Sequence, residues 1–366
     1  NPGPMVQDPE WVFDPTNPHD PAPLVPAPGV FEPDSSAIEN QAQHDTVGTI
    51  RIYGSVIARN TSDQDGAGLK NGGSGTITIE DTDITDNVTD ANGGGVFSAG
   101  GTLTIAGGHV SDNIAHAAGG GIATEGEPDK VGLRGTITIT GVTVADNHSG
   151  ADGGGIATDG DSKITFTDLD VVNNLAADSG GGFSVEGRST FVGTDLTVTG
   201  NKTPGEGGGI YLESERLGII RTSTVSNNEA GIKDPLDVMT IGVPGEKGYI
   251  PGSNTAGGGG MYTEGGPVEI YDTAYEGNVA TEEGGGLSID NFGTVLLQGV
   301  HVQGNAAGAH GGGIENSGMR VTFDHILVKG NKATLDGGGI YNSSSGDFLV
   351  IDSTMEKNTA TNGGGF

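Results

Sequence analysis

One motif constrains this chain more than any other property it has: an Asn, five residues, three glycines and an apolar residue, as in Asn331 followed by Gly337-Gly338-Gly339-Ile340. The Asn recurs at Asn60, Asn87, Asn113, Asn147, Asn174, Asn201, Asn228, Asn278, Asn305, Asn331 and Asn358. Most steps are 26 or 27 residues, and the two longer ones, 34 residues after Asn113 and 50 after Asn228, mark insertions. A fixed period of this size is the signature of a solenoid, in which each repeat buries its apolar face only against its neighbours.

Fixed offsets from the Asn identify the secondary structure. Ten and eight residues before it stand apolar residues such as Ile77 and Ile79, Leu103 and Ile105, or Val295 and Leu297. A spacing of two is a strand with one face inward. Three before the Asn come Ile84, Val110, Val302 and their equivalents, a second strand; after the glycines come Val96, Ile122, Ile340 and the like, a third. The chain is therefore expected to be all-β, a parallel β-helix of about eleven coils with three strands per coil. Its handedness should be right, as parallel crossovers are. Gly193 and Gly218 interrupt the apolar columns, where a locally narrower core is expected. Seventy glycines and 5% aromatics suit the thin core of a rod better than a broad globular one.

The Asn itself needs no functional reading. At a bend its amide can donate and accept along the stack, forming a ladder that satisfies turn backbone groups. The glycines permit a close or left-handed bend beside it.

Residues 1–45 follow another rule. Ten of the sixteen prolines fall between Pro2 and Pro33, with no Lys or Arg. This tail should be an extended, polyproline-like arm that cannot pair as a strand. It nevertheless carries Trp11, Phe13, Val30 and Phe31, the kind of apolar groups that dock on another surface. The domain reading is thus an arm over 1–45 and a β-helix over 46–366, with insertions near 125–134 and 229–256, the second containing Tyr249.

A net charge of −32 opposes nucleic acid and anionic membranes. The absence of Cys excludes disulfides, thiolate metal sites and a cysteine nucleophile. No stretch of about 18 apolar residues offers a membrane helix. Beginning at Asn1 without a Met, the chain reads as a processed product that has lost an export signal, hence as secreted, extracellular or on the cell surface.

Segments such as Tyr275-Glu276-Gly277-Asn278 followed by Gly284-Gly285-Gly286-Leu287 resemble the paired motifs of polymorphic outer-membrane autotransporters, Phe-x-x-Asn and Gly-Gly-Ala-Ile. They are also similar to secreted right-handed β-helix repeat proteins of the pectin-lyase-like superfamily. The resemblance spans nearly all of 46–366 and implies an architecture, with an adhesin-like passenger or a polysaccharide lyase or hydrolase as the activities found on it. The chain departs from the autotransporter pattern in carrying Gly where Ala is usual.

Catalysis of that kind needs clustered carboxylates with Arg, Lys or His. The pairs Asp63/Asp65, Asp81/Asp83, Asp159/Asp161 and Asp168/Asp170 are not joined by a basic or histidine signature, and Arg and Lys are scarce, so no catalytic residue and no cofactor is assigned; Ca²⁺ is the cation their oxygens would suit. Thr78, Thr104, Thr138 and Thr165 align on the outward face nine before their Asn, and in later coils that column turns apolar at Val192, Ile219, Leu296 and Leu349. The final coil ends at Phe366 without a polar cap. These features lead to the expectation of a non-enzymatic structural subunit that self-associates head to tail into a surface filament. An adhesin binding a host or glycan surface is the alternative.

Overall fold

The computed structural model describes residues 37–40, 48–73, 75–126, 135–232 and 256–366. Trp11, Phe13, Val30, Phe31 and Tyr249 lie outside them, as do most of both insertions. Every named strand pairing among the described residues is parallel and joins one coil to the next, as Ile77 to Leu103 and Leu103 to Ile137. The chain is an all-β parallel solenoid built from three sheets.

The division of the coil differs from the expected one in an instructive way. The strands ten-to-eight and three residues before the Asn belong to one long sheet. In four coils they form a single bent strand, Thr76–Thr85, Thr102–Ser111, Ser162–Val172 and Thr190–Thr199. The third sheet is instead a ladder of two-residue strands directly after the Asn, from Thr61–Ser62 to Lys332–Ala333. Two residues cannot carry a period of two, so this ladder left no pattern. The remaining sheet, which follows the glycines, has eleven strands and runs to Ile340–Asn342.

That sheet begins earlier than residue 46. Ile38–Asn40 pairs with Leu69–Asn71, and the Ala37 and Ile38 amides donate to Ala67 and Gly68 carbonyls at 3.0 and 3.3 Å. The expectation that nothing in 1–45 pairs as a strand is corrected here. The last proline of the tail is Pro33, so from residue 34 on every backbone N–H is available for pairing.

Corners are set by backbone sign. The residue before each ladder Asn has φ between 55° and 70° in all eleven coils, from Arg59 to Lys357. Six before the Asn a second corner has φ between 42° and 69°, from Gly54 to Asp352. L-residues other than Asn, Asp and Gly resist this left-handed region, which is why those three types fill most of these positions. The three glycines divide their work, as one triad shows. Gly93 takes φ 67°, a Cβ on Gly94 would lie 2.3 Å from the Gly120 carbonyl oxygen, and one on Gly95 would lie 3.2 Å from Asn113 Nδ2.

The Asn amides form a continuous ladder. Asn87 Nδ2 donates to Asn113 Oδ1 at 2.9 Å and to the Ile57 carbonyl at 3.0 Å, while its backbone N–H donates to the same Asn113 Oδ1 at 3.1 Å. The pattern repeats through Asn147, Asn174, Asn201, Asn228, Asn278, Asn305 and Asn331 and ends where Asn358 Nδ2 meets the Val328 carbonyl at 2.9 Å.

Inside lie aliphatic columns from the long sheet and from the sheet after the glycines, thickened at midlength by Phe166, Phe183 and Phe191, whose ring centroids are 5.4 to 5.7 Å apart. The glycine gaps are filled by neighbours. A Cβ at Gly193 would meet Leu196 at 2.6 Å and the Phe191 ring at 2.9 Å, and one at Gly218 would meet Leu212 at 2.8 Å.

Candidate functional site

The sheet after the glycines carries the unusual chemistry. Its strands alternate, so in Ile122–Glu125 the side chains of Ile122 and Thr124 point inward and those of Ala123 and Glu125 outward. The fourth position of the strand is acidic in six successive coils: Glu125, Asp159, Glu186, Glu213, Glu264 and Asp290. Parallel in-register pairing stacks them, Glu125 on Asp159 and Glu186 on Glu213, then Glu264 and Asp290. Rungs in such a stack are about 4.8 Å apart, a spacing at which like charges repel.

A second acidic edge runs parallel to the first. It comes from the residue before the first glycine of the triad and includes Asp65, Asp152, Glu206, Glu283 and Asp336. Between the two edges lies a floor column in register: Lys70, Phe97, Ala123, Ala157, Ser184, Tyr211, Tyr262, Ser288, Glu315 and Tyr341.

Basic groups on this face stand only at its ends among the described residues. Lys70 Nζ lies 3.6 Å from Asp65 Oδ2, and His310 Nδ1 lies 3.2 Å from Asp336 Oδ2. Between them six carboxyl groups are partly withdrawn from water and face others, which favours their protonated form. Burial, reinforced by Asp152 and Asp159, pushes Glu186 up to about 8. Burial with Glu264 nearby brings Glu206 to about 7, and burial with Asp178 nearby brings Asp152 to about 6. Glu125 and Glu264 are raised for the same first reason. Glu315, only 3% exposed, accepts hydrogen bonds from Ser288 Oγ at 3.1 Å and Ser343 Oγ at 3.2 Å. Burial and Glu283 push it up to about 8.

Two troughs open on this face. One, of about 130 Å³, has Ala123, Ala157 and Ser184 as its floor, with Glu125, Asp159 and Glu186 along one wall and Asp152 on the other. The second, of about 190 Å³, lies between Glu206 and Glu315 beside Tyr262 and Asp290. Separating them, the Tyr211 and Tyr262 rings stack at 5.5 Å with 8° between planes. Their hydroxyls donate to Glu213 at 2.9 Å and Glu264 at 3.4 Å. Among the described residues no three His, Asp or Glu side chains gather closely enough to hold one metal ion.

The carboxylate pairs singled out in the sequence fall mostly elsewhere. Asp81 and Asp168 are left-handed corner residues with φ 47° and 51°, and Asp83 accepts from His109 Nδ1 at 2.8 Å. Asp161 pairs with Arg216 at 3.2 Å. Only Asp65 and Asp159 join the acidic face. The apolar column stands as Val192 on Ile219 and, two coils on, Leu296, with Glu269 interposed and Thr322 before Leu349. Val192, Ile219 and Leu296 are half-buried, and Leu349 is 52% exposed. The acid column had a signal: each member is the third residue after the first apolar residue that follows the glycines, a register visible only when the repeats are aligned on that triad.

Comparison with family models matches residues 130–238 to a right handed beta helix region. The chain is a right-handed parallel β-helix repeat protein. Residues 325–343 match a Chlamydia polymorphic membrane protein repeat, so this repeat unit is similar to those of the polymorphic membrane proteins, as the Asn and glycine motifs imply. Neither the curated proteins nor the solved structures contain a significant match.

Proposed function

We propose that the protein is a non-enzymatic rod displayed on the cell surface, as passenger-type repeats are, and that its acidic face binds a partner. The observation that carries this reading is the column of six acidic side chains from Glu125 to Asp290, none of which forms an ion pair with a basic side chain among the described residues. A structural surface gains nothing from such an arrangement, because in-register like charges cost stability. The β-helix and polymorphic membrane protein matches support the passenger-like setting. Replacing Glu125, Asp159, Glu186, Glu213, Glu264 and Asp290 by their amides keeps shape and removes charge. Purified protein carrying these six changes should lose binding to intact cells or to glycan- and protein-coated surfaces; unchanged binding would overturn the assignment of the face. New reducing ends after incubation with acidic polysaccharides would replace it with a lyase or hydrolase.

A second reading, head-to-tail assembly, has its own observation. On the last described coil Leu349, Val350, Ile351 and Phe366 are exposed, at 52, 36, 37 and 58%. In this reading a second copy packs on them, with the N-terminal arm and the Val192–Ile219 surface as additional contacts. Sedimentation over a wide concentration range tests it: growth of elongated species suppressed by Val350→Asp supports assembly, and a monomer throughout refutes it.

A further inference from the structure

The trough between Phe97 and Tyr211 tells more about what the acidic face takes. Its charges are spread, one carboxylate per coil on one wall, and nothing there gathers three acidic groups around a point. A ligand that neutralises it must distribute positive charge along the rod axis. Its floor is apolar and flat, since Ala123 and Ala157 are 2% and 7% exposed and leave room only for something thin. The next floor residue, Ser184, is fully buried, lines the trough, and its hydroxyl makes no hydrogen bond of normal geometry although it lies close to the Glu186 carboxylate. A buried hydroxyl left in this state has hydrogen-bonding capacity open toward the trough, including lone pairs that can accept from an ammonium.

The protein also fills one end of the column with a group of its own. Lys70 lays its aliphatic stem in the floor column and places Nζ 3.6 Å from Asp65 and 5.9 Å from the centre of the Phe97 ring. An alkylammonium against an aromatic face, beside a carboxylate, is thus already accommodated one coil from the trough. The opposite end, at Tyr211, offers a second aromatic ring.

Building on the reading of this face as the binding surface, we infer that the trough over Ala123, Ala157 and Ser184 binds a linear aliphatic polyammonium, its methylenes on the alanines and its nitrogens on Glu125, Asp159 and Glu186. A three-methylene spacer sets successive nitrogens about 5 Å apart, given bonds of about 1.5 Å. That matches the rung spacing of about 4.8 Å. Because binding favours the ionised carboxylates, it releases protons and tightens as pH rises from 6 to 8.

The test uses the full chain, norspermidine as probe, and isothermal titration calorimetry in 150 mM salt. Expected results are saturable one-to-one binding, proton release seen as a buffer-dependent heat, and roughly tenfold weaker binding for Glu125→Gln or Glu186→Gln, the scale of one charged hydrogen bond. Asp347→Asn, on the long sheet, should bind as the parent does. No saturable heat overturns the inference. So does equal weakening by Asp347→Asn, which would reveal only diffuse attraction to net charge, and so does displacement of the amine by equimolar calcium. Circular dichroism confirms that the amide variants are folded. If norspermidine fails while the six-amide protein still loses surface binding, the ligand class falls and the face remains; if surface binding is also unchanged, both fall.

Discussion

Asn201→Ala is the sharpest probe of what holds the rod together. The Asn201 side chain makes four hydrogen bonds. Its Nδ2 donates to Asn228 Oδ1 and the Val171 carbonyl, each at 2.9 Å, and its Oδ1 accepts from the Asn174 backbone N–H at 2.9 Å and Asn174 Nδ2 at 3.0 Å. At a net value of about 1 kcal/mol per bond the loss is about 4 kcal/mol, and stranding the buried Asn174 N–H moves it to about 5 kcal/mol. Asn60, at the start of the described ladder, is the internal control. Its side chain makes one such bond, to Asn87 Oδ1 at 2.7 Å, so Asn60→Ala should cost about 1 kcal/mol. Urea unfolding measures both, and amide exchange locates the damage, which nearest-neighbour coupling confines to the coils on either side of Asn201. Equal losses at the two positions would refute the view that the ladder stabilises by coil-to-coil bonding.

Three further expectations are independent of the ladder. Thr222 is a β-branched residue at φ 47°, so Thr222→Asn should raise stability by about 1 kcal/mol, read as a higher unfolding midpoint. Gly193→Val drives a side chain into Leu196 and Phe191 and should cost about 1–3 kcal/mol, with loss of the near-ultraviolet signal of the phenylalanine cluster. Glu315 has a folded value of about 8 against an ordinary 4.5. Between these values the folded state holds the proton that the unfolded chain has released, so stability falls as pH rises from about 4.5 to about 8. Glu315→Gln should flatten that fall, matching the parent near pH 4 and melting higher than it at pH 8.5.

The long apolar columns were legible in the sequence because nearly every coil repeats them and the period of two survives in strands of four residues or more. The two-residue ladder from Thr61–Ser62 onward was not, being shorter than its own signal. The corner code was present but unread: Asp86, Asp112, Asp146, Asn173 and Asn227 precede their ladder Asn and share a left-handed φ. The same code accounts for Asp81 and Asp168, members of the carboxylate pairs visible in the sequence. They are acidic because Asp tolerates that backbone, and the choice carries no chemistry. The acid column was missed for the opposite reason. Its members, from Glu125 to Asp290, are outward residues on strands whose inward neighbours drew the attention, and the insertion after Asn228 breaks the Asn-based register before Glu264.

The two kinds of stacked polar column make an informative contrast. An Asn ladder satisfies itself, since each amide presents a donor to the acceptor of the next, and adding a coil extends the bonding. A carboxylate ladder cannot, because both of its partners accept. Stacking it in register therefore leaves only three ways to lower its energy: protonation, a cation from the chain, or a cation from outside. The chain uses the second at Lys70 and leaves the first to burial at Glu186, Glu206 and Glu315, whose values are raised. What remains between the two ends, among the described residues, is a row of carboxyl groups without a basic partner on a preformed scaffold, which lets a cationic partner bind without first reorganising the protein.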